Sequence, residues 1–270
     1  MTTKKTPISY YGGKQGMLQH ILPLIPKHSI YTEAFFAGGA VFFAKDPVES
    51  ETINDMNNLV VNFYEVAKND FHNLKSKVEA TLFSRATYSV ANVIYRMPNL
   101  FNSLQQAWAF YTACNMAFNN NVGSWGYDKY GKRLKAFKNK KMRFDLNLAE
   151  RLKPVTVECN DACKVIITYD TIDAFHYLDP PYINTNCGTY KGYTQENYKE
   201  LLDTLSKVKG KFLLSSFPTK ILDEYIQKNN WNSIQITKTK TAVKATLGEP
   251  RVAKKTEVLT ANYPISKNGL

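Results

Sequence analysis

The chain has 270 residues, 44% of them hydrophobic, and a formal net charge of +12. That length allows one sizeable core, or one core with an inserted subdomain, and the positive charge favours a polyanionic partner. The sequence has no run of about eighteen apolar residues, and its four cysteines form no Cys-x-x-Cys pair. We therefore expect no membrane span and no metal site, and, since no apolar run follows Met1, a cytoplasmic location.

The first predicted elements form a pattern of strand, glycine turn, helix and strand. They are a helix over Gln15–Ile25, a strand over Ser29–Glu33, a helical stretch over Val41–Ala44 and a strand over Glu51–Ile53. Small residues at Gly38 and Gly39 let the backbone approach a ligand closely, although a plain strand-to-helix turn has the same composition. Phe35 and Asp55 are spaced as in a nucleotide-binding βαβ unit, where an acid about twenty residues on binds ribose hydroxyls. Asp55 is therefore a candidate ribose ligand, with a helix N-cap as the structural alternative.

The remainder of the chain alternates between helical and strand patterns. From Asn57 to about Ala117 the pattern is helical, and residues 119–143 are polar and then strongly basic. Strand signals return over Val155–Glu158, Phe175–Leu178, Lys211–Ser215, Ser233–Thr237 and Glu257–Tyr263. This alternation predicts an α/β fold, with one doubly wound, Rossmann-like sheet and an inserted, mainly helical subdomain. We assign residues 1–60 and 150–270 to the sheet domain and residues 61–149 to the insert.

The stretch Asp179-Pro180-Pro181-Tyr182 directly follows the apolar run Phe175–Leu178, which we interpret as a buried strand. Ligands of open α/β sheets bind at the carboxyl ends of the strands. The Asp179 carboxylate and the Pro180 carbonyl can each accept a hydrogen bond from an exocyclic amine, and Tyr182 can lie against the face of a heterocycle. Two prolines after a strand are also an ordinary stop signal.

The insert carries the residues that we expect to contact DNA. Lysines and arginines between Lys129 and Arg143 alternate with aromatic residues and can bind phosphate, although such a stretch can also be a solvated face. Asparagines just upstream can pair with adenine in a major groove. The candidate DNA-binding residues are Asn115, Asn119, Asn120, Lys129, Lys132, Arg133, Lys135, Lys138 and Lys140.

Two further residues are candidate cofactor contacts. Lys14 follows Gly12 and Gly13 and could close over an anionic tail, although the residues alone favour an exposed lysine in a flexible terminal segment. Asp161 follows the third sheet strand and could accept a hydrogen bond from an adenine amine, or cap the next helix. The residues alone leave the choice for Asp161 open.

Four motifs, in this order along the chain, resemble those of the Dam-like adenine-specific DNA methyltransferases. They are Tyr-x-Gly-Gly-Lys at 10–14, Glu-x-Phe-x-x-x-Gly at 33–39, Asn-Asp-x-Asn at 54–57 and Asp-Pro-Pro-Tyr at 179–182. The resemblance covers nearly the whole chain. It implies a Rossmann-like methyltransferase that binds S-adenosylmethionine and double-stranded DNA, with target recognition in the insert.

The resemblance also implies roles for individual residues. The implied cofactor-binding residues are Tyr11, Gly12, Lys14, Phe35, Gly38, Gly39, Asp55, Asp161 and Asp179. The implied catalytic residues are Asp179, Pro180, Pro181 and Tyr182. We expect an ionised Asp179 and the Pro180 carbonyl to hold the amine of an adenine flipped out of the duplex, so that positioning drives direct transfer to N6 without a covalent enzyme intermediate.

The chain departs from the family pattern at two positions of the glycine turn. Ala34 stands where the family usually has proline, and Ala37 where it usually has glycine. The added methyl group of Ala37 is tolerated if the φ angle of that residue is negative. The family's Asn-Arg-x-x-Phe-Asn-Gly segment is only faintly matched near Asn115, without the arginine.

Several alternatives stay open at this point. Cytosine N4, adenine in RNA and a glutamine amide each present a conjugated amine that the same motif could hold. A non-catalytic DNA-binding protein on a methyltransferase scaffold is the alternative from another class. We expect a monomer in solution, and a cognate restriction nuclease is a further candidate partner.

Overall fold

The centre of the protein is a mixed sheet. The computed structural model describes residues 5–118, 120–183, 192–240 and 253–266, with the side chains of 238–240 and 253–255 left aside. Within these residues the sheet has seven strands in the order β5-β2-β1-β6-β7-β9-β8. They are β1 (Ile30–Glu33), β2 (Ser50–Asn54), β5 (Thr156–Glu158), β6 (Ala174–Leu178), β7 (Lys211–Ser216), β8 (Asn232–Lys240) and β9 (Ala253–Ala261). Neighbouring strands are parallel except where β9 pairs, antiparallel, with β7 and β8.

The strand order opens a crevice beside β1 and β6. From β1 the chain moves outward to β2 and β5, and later returns to β6 on the other side of β1 before moving on to β7. The loops that leave β1 and β6 therefore diverge, and the space between them is where open α/β sheets bind ligands. These loops begin at Ala34 and Asp179, which confirms the predicted α/β, doubly wound sheet and the predicted position of the Asp179 motif.

The helices surround the sheet and fill the insert. They are α1 (Leu18–Ile21), α2 (Ala40–Ala44), α3 (Asn58–Asn69), α4 (Phe71–Ala80), α5 (Arg85–Arg96), α6 (Ser103–Met116), α7 (Lys132–Arg143), α8 (Leu146–Leu152), α9 (Ala162–Tyr169), α10 (Gln195–Leu205) and α11 (Lys220–Asn229). Polar residues fix many starts by accepting a backbone N–H of the first turn. These caps are Asn57, Ser84, Asn102, Asp145, Asp161, Thr194 and Thr219. None of the described helices is long and apolar enough to cross a membrane.

Two local predictions needed correction. The helix predicted over Gln15–Ile25 is broken into α1 and two short 3₁₀ helices, Lys14–Gly16 and Leu22–Leu24. Pro23 lacks the N–H that a continuous helix needs, which accounts for the break after α1. The stretch 119–143 contains elements that its polar composition did not indicate. A two-stranded hairpin forms from β3 (Ala117–Phe118) and β4 (Asn121–Trp125), and the basic residues that follow form α7.

The Asp128 side chain fixes the start of helix α7 by binding three backbone N–H groups. Its carboxylate accepts hydrogen bonds from the amides of Tyr130, Lys132 and Arg133 at 2.7–3.1 Å. Gly131, at a φ of 69°, takes the left-handed turn that this geometry needs. Phe137 is the buried residue of the helix, and most of its lysines project into solvent.

The insert and the sheet share one hydrophobic core. Phe110 and Phe137 of the insert belong to the same cluster of buried side chains as Tyr31 of β1 and Phe42 of α2. The predicted boundary between residues 60 and 61 falls inside α3, whose Phe63 packs in that cluster. The assignment of residues 61–149 to a separate unit therefore stays a prediction.

A buried ion network fixes the return of the chain from the insert to the sheet. Glu51 on β2 accepts from Lys45 Nζ at 2.5 Å and from Arg151 Nη2 of α8 at 2.8 Å. The Arg151 guanidinium also lies 3.6 Å from the ring centre of Phe42. Since all three charged side chains are buried, each depends on the others for compensation of its charge.

Replacing Glu51 with glutamine leaves Lys45 and Arg151 buried without a carboxylate. We expect Glu51→Gln to lower the free energy of unfolding by about 3 kcal/mol or more, as for other broken buried pairs. The matched control is Glu150→Gln, which removes the exposed pair between Glu150 and Lys153 and should cost less than about 1 kcal/mol. Urea titration measures both, and equal losses would contradict a structural role for the network.

Candidate active site

The Asp179–Tyr182 corner, residues 179–182, contacts the N-terminal part of the chain through Lys14. The ammonium Nζ of Lys14 lies 2.6 Å from Asp179 Oδ1 and 2.6 Å from the hydroxyl oxygen of Tyr182. That hydroxyl in turn donates to Asp179 Oδ1 at 3.3 Å. The three side chains thus form one hydrogen-bonded group at the crevice between β1 and β6.

Burial and charge act in opposite directions on this group. Burial raises the pKa of Asp179 above its ordinary value, and the Lys14 ammonium opposes that rise. Lys14 is only 5% exposed, so its charge depends on the Asp179 carboxylate for compensation. Burial and the nearby carboxylate raise the pKa of Tyr182, so its hydroxyl stays protonated and can donate.

Phe217 forms an aromatic pair with the corner that the sequence analysis did not identify. Its ring centre lies 4.1 Å from that of Tyr182, with the planes inclined by 44°. Phe217 directly follows β7, the strand beside β6. An aromatic residue immediately after the next strand of the sheet is the sequence signal that could have identified it, by the same reasoning that identified Tyr182.

A cavity of about 380 Å³ lies between the corner, the glycine turn after β1 and the N-terminal segment. Its wall includes Phe35, Gly38, Gly39, Tyr11, Gly12 and Lys14, all of them predicted cofactor contacts. Gly39 has a φ of 64°, and a Cβ atom there would come within 2.5 Å of the buried Phe36 ring. Glycine is therefore required at 39 by conformation and by packing.

Asp55 and Asp161, two predicted cofactor contacts, are not among the residues that line this cavity; they lie on neighbouring loops that Asn54 connects. The Asn54 amide donates to the carbonyls of Ala34 and Asn160 at 2.9 and 3.0 Å and accepts from Asn160 N at 2.9 Å. Asp55 accepts from the amides of Ala37 and Asn57 at 2.8 and 2.9 Å, and it does not cap α3.

The caps and the pKa of these acids distinguish some of the alternatives left open by the sequence. Asn57 caps α3, and Asp161 caps α9 through the amide of Lys164 at 3.0 Å. Burial raises the pKa of Asp55, while its two amide donors favour the ionised form. A carboxylate has about four acceptor positions, so Asp55 keeps capacity for further donors.

Among the described residues, no group of three or more His, Cys, Asp or Glu side chains could hold a metal ion.

Comparison with known proteins assigns the sequence to a family. Residues 10–243 match the family described as D12 class N6 adenine-specific DNA methyltransferase. The chain belongs to this family. It is therefore an α/β methyltransferase with a Rossmann-like sheet, specific for adenine N6 in DNA.

Individual relatives agree with this assignment. The type II methyltransferase M1.LlaDCHI of Lactococcus lactis subsp. cremoris is 26% identical over 93% of this chain and 93% of its own length. The DNA N-6-adenine-methyltransferase of Escherichia phage P1 is 28% identical over 66% of this chain and 24% of its own. The modification methylase StsI of Streptococcus sanguinis is 26% identical over 69% and 30%.

In this methyltransferase, Ala37 does not meet the condition set from sequence. Its φ is +45°, in the left-handed region that disfavours residues with a Cβ atom. Two hydrogen bonds hold the conformation, one from its amide to Asp55 and one from the Tyr64 hydroxyl to its carbonyl at 3.2 Å. The alanine is thus accommodated by its neighbours rather than by a favourable φ.

Glycine at position 37 should relieve this conformational cost. The left-handed region costs an alanine about 1–2 kcal/mol, and the greater freedom of glycine in the unfolded chain offsets part of the gain, so Ala37→Gly should stabilise by roughly 0.5–1 kcal/mol. The control Ala40→Gly, in the ordinary helical turn of α2, should destabilise instead. Urea unfolding would contradict the interpretation if both variants lost stability equally.

The predicted DNA-binding residues fall into two groups in the methyltransferase. Lys129, Lys132, Lys135 and Lys138 are exposed, together with Asn120. Arg133 is half-buried, donates to the carbonyl of Ala117 at 3.1 Å and lies over the ring of Phe118. Asn119 lies outside the described residues.

Asn115 and Lys140 have different surroundings from the rest of that set. The Asn115 amide hydrogen-bonds to the N-terminal segment at Ser9 and Pro7. Lys140 Nζ donates to Asn115 Oδ1 at 2.7 Å and to the Ser9 hydroxyl. Their polar atoms are engaged inside the protein, so the structure does not place these two residues with the exposed lysines.

Glu33, the first residue of the Glu-x-Phe-x-x-x-Gly motif, is a buried acid in the cavity wall to which the sequence analysis gave no role. It is the last residue of β1 and accepts from the Tyr31 hydroxyl at 2.6 Å and from the amide of Phe42 at 3.0 Å. Burial raises the pKa of Glu33 to about 8, and the charge of Asp179 acts in the same direction. With its pKa raised in this way, Glu33 is mainly protonated at neutral pH. Of the two carboxyl groups that the described residues place in the cavity wall, Asp179 is then the one that carries the negative charge.

The raised pKa of Glu33 predicts a pH-dependent stability. The folded pKa exceeds the unfolded one, so the stabilisation is complete below about pH 4.5 and is lost as the pH rises through about 8. Relative to Glu33→Gln, the free energy of unfolding of the wild type should fall by about 1 kcal/mol per pH unit between pH 5 and 8. Urea titrations across that range test this, with exposed Glu65→Gln as the control; a constant difference between wild type and Glu33→Gln would show that Glu33 is ionised throughout.

Proposed function

We propose that this methyltransferase transfers a methyl group from S-adenosylmethionine to N6 of an adenine flipped out of double-stranded DNA, with Asp179 and the Pro180 carbonyl holding the amine. The observation that carries the proposal is the position of the Asp179–Tyr182 corner in a member of the D12 family. It lies at the crevice where the strand order reverses, beside the glycine turn. Sheets of this kind bind their ligands at that place.

The residues around the cavity fit S-adenosylmethionine in chemical type. Phe35 and the Gly38–Gly39 turn offer an aromatic surface and close backbone approach, and Asp55 has acceptor capacity left for ribose hydroxyls. The N-terminal segment with Tyr11 and Gly12 would lie near the amino-acid end, and Asp161 near the adenine. When bound, the cofactor supplies a methyl group that its sulfonium makes electrophilic.

The corner would orient the amine of the target base. That nitrogen is a weak nucleophile because its lone pair is delocalised into the purine. Two acceptors, the Asp179 carboxylate and the Pro180 carbonyl, would engage both of its hydrogens and direct the lone pair toward the methyl donor. Asp179 would also stabilise the positive charge that develops on the nitrogen.

A carboxylate has room for several donors, and in this proposal Lys14 would nevertheless give up its present contact. Its ammonium is bound to Asp179 Oδ1, an acceptor that the adenine amine would use. The incoming amine would replace Lys14 as donor to that oxygen, and the ammonium would be available to the anionic end of the cofactor. This exchange also removes a positive charge from the place where the amine becomes positive.

The aromatic pair and the exposed lysines would serve DNA binding. Extrusion of a paired base costs a few kcal/mol, and stacking on Tyr182 or Phe217 would recover part of that cost. Lys129, Lys132, Lys135 and Lys138 would contact phosphates, with Arg133 and Asn120 beside them. A cognate restriction nuclease, a cytoplasmic location and a monomeric state are part of the same proposal.

Asp179→Ala tests the assignment directly. It removes the carboxylate acceptor while leaving the DNA-binding surface in place, so methyl transfer should fall by on the order of 10²–10³-fold or more, with little change in DNA affinity. Transfer of a tritiated methyl group followed by digestion to nucleosides gives the rate and the modified base, and a gel shift gives the affinity. Asp173→Ala, an exposed residue before the other end of β6, is the matched control. A variant at 179 that kept most of its activity would overturn the proposal.

A further inference from the structure

The N-terminal segment, residues 6–13, lies between the insert and the cavity. Thr6, Ile8 and Tyr10 line the cavity, and Ile8 is fully buried in the main core. The segment leads directly into Lys14, whose ammonium contacts Asp179. A displacement of this segment would therefore change both the cavity wall and the catalytic corner.

Asn115, in the last turn of α6, holds this segment by its backbone. Its Oδ1 accepts from Ser9 N at 2.8 Å, and its Nδ2 donates to the Pro7 carbonyl at 3.2 Å. One side chain thus pairs with both an amide and a carbonyl of the segment, as a neighbouring strand would. The contact joins residues more than one hundred positions apart, at 9 and 115.

Lys140 of α7 completes the contact from the second helix. Its Nζ donates to Asn115 Oδ1 at 2.7 Å and to the Ser9 hydroxyl. In the described part of the chain, no carboxylate lies within ion-pair distance of this ammonium. Lys140 is half-buried, and removal of its amine from solvent lowers its pKa to about 8. Exposed lysines on the same helix, such as Lys138, have no such contact.

We propose that Asn115 and Lys140 are positioning residues. They attach the N-terminal segment to the insert and thereby keep the cavity wall and Lys14 in the positions that cofactor binding needs. Neither residue touches the reacting atoms. The link also connects α7, whose exposed lysines would bind DNA, with the segment that ends at Lys14. Its effect on catalysis rests on the proposed function, whereas the mechanical link itself does not.

The first test measures the segment itself in the cofactor-free protein. Hydrogen exchange of the amides of residues 8–14 should accelerate on the order of tenfold in Asn115→Leu and Lys140→Met, since each variant removes hydrogen bonds to the segment. Asn115→Asp keeps the acceptor for Ser9 N and Lys140 but loses the donor to the Pro7 carbonyl, so its exchange should lie between those of the wild type and Asn115→Leu. Lys138→Met, on the exposed face of α7, is the matched control and should leave exchange unchanged.

The second test separates positioning from direct DNA contact. Calorimetric titration should show S-adenosylmethionine binding weakened by on the order of tenfold in Asn115→Leu and Lys140→Met, with the salt dependence of DNA binding unchanged. Lys138→Met should instead lower the salt slope by about one and leave cofactor affinity intact. If Lys140→Met behaves as Lys138→Met does, with normal exchange of residues 8–14, Lys140 is a phosphate contact and the inference is wrong.

Two further results keep the outcomes distinct. Ser9→Ala removes only one acceptor of Lys140 and should accelerate exchange of the segment to a smaller extent, so it tests the link even if Asn115→Leu fails to fold. Should the wild type show no binding of S-adenosylmethionine, the proposed function fails, while the exchange data still decide the mechanical link. Unchanged hydrogen exchange of residues 8–14 in Asn115→Leu, Lys140→Met and Ser9→Ala would overturn the inference, whatever the result for cofactor binding.

Discussion

The ion pair between Lys14 and Asp179 is the contact on which the rest of the site depends. It joins the N-terminal segment to the carboxyl end of β6, with Nζ and Oδ1 2.6 Å apart and the lysine almost fully buried. Because neither charge is well solvated there, each requires a partner, and in the proposed exchange the amine of the base takes the place of the ammonium on Asp179. In the absence of ligands, the Lys14 ammonium thus occupies an acceptor position of Asp179, as an N–H donor like the amine of the target base.

Several rigid features keep that pair at the crevice. The reversal of strand order puts the loops after β1 and β6 side by side, and Asn54 connects the first of them to the loops that carry Asp55 and Asp161. Gly39 allows the turn to pass against Phe36 without a clash. On the other side, Asn115 and Lys140 attach the segment that delivers Lys14. Positional control of this kind is what a reaction with little acid–base chemistry requires.

Local patterns made much of this predictable, and long-range contacts account for what was missed. The apolar runs located the sheet strands. Asp179 could be identified because it directly follows a strand, and Gly39 because it lies in the turn between a strand and a helix. Helix α7 was hidden because Phe137 is its one buried residue and its other positions read as a charged loop, although lysine and arginine are good helix formers. The roles of Asn115 and Lys140 depend on contact with residues 7–9, which no spacing along the chain reveals.

The most direct test is a crystal structure of the protein with duplex DNA and a non-reactive analogue of S-adenosylmethionine. The account predicts an extruded adenine whose N6 lies within hydrogen-bond distance of the Asp179 carboxylate and the Pro180 carbonyl, with Lys14 Nζ no longer bound to Asp179. A complex in which the base is bound elsewhere while Lys14 and Asp179 stay paired would contradict it.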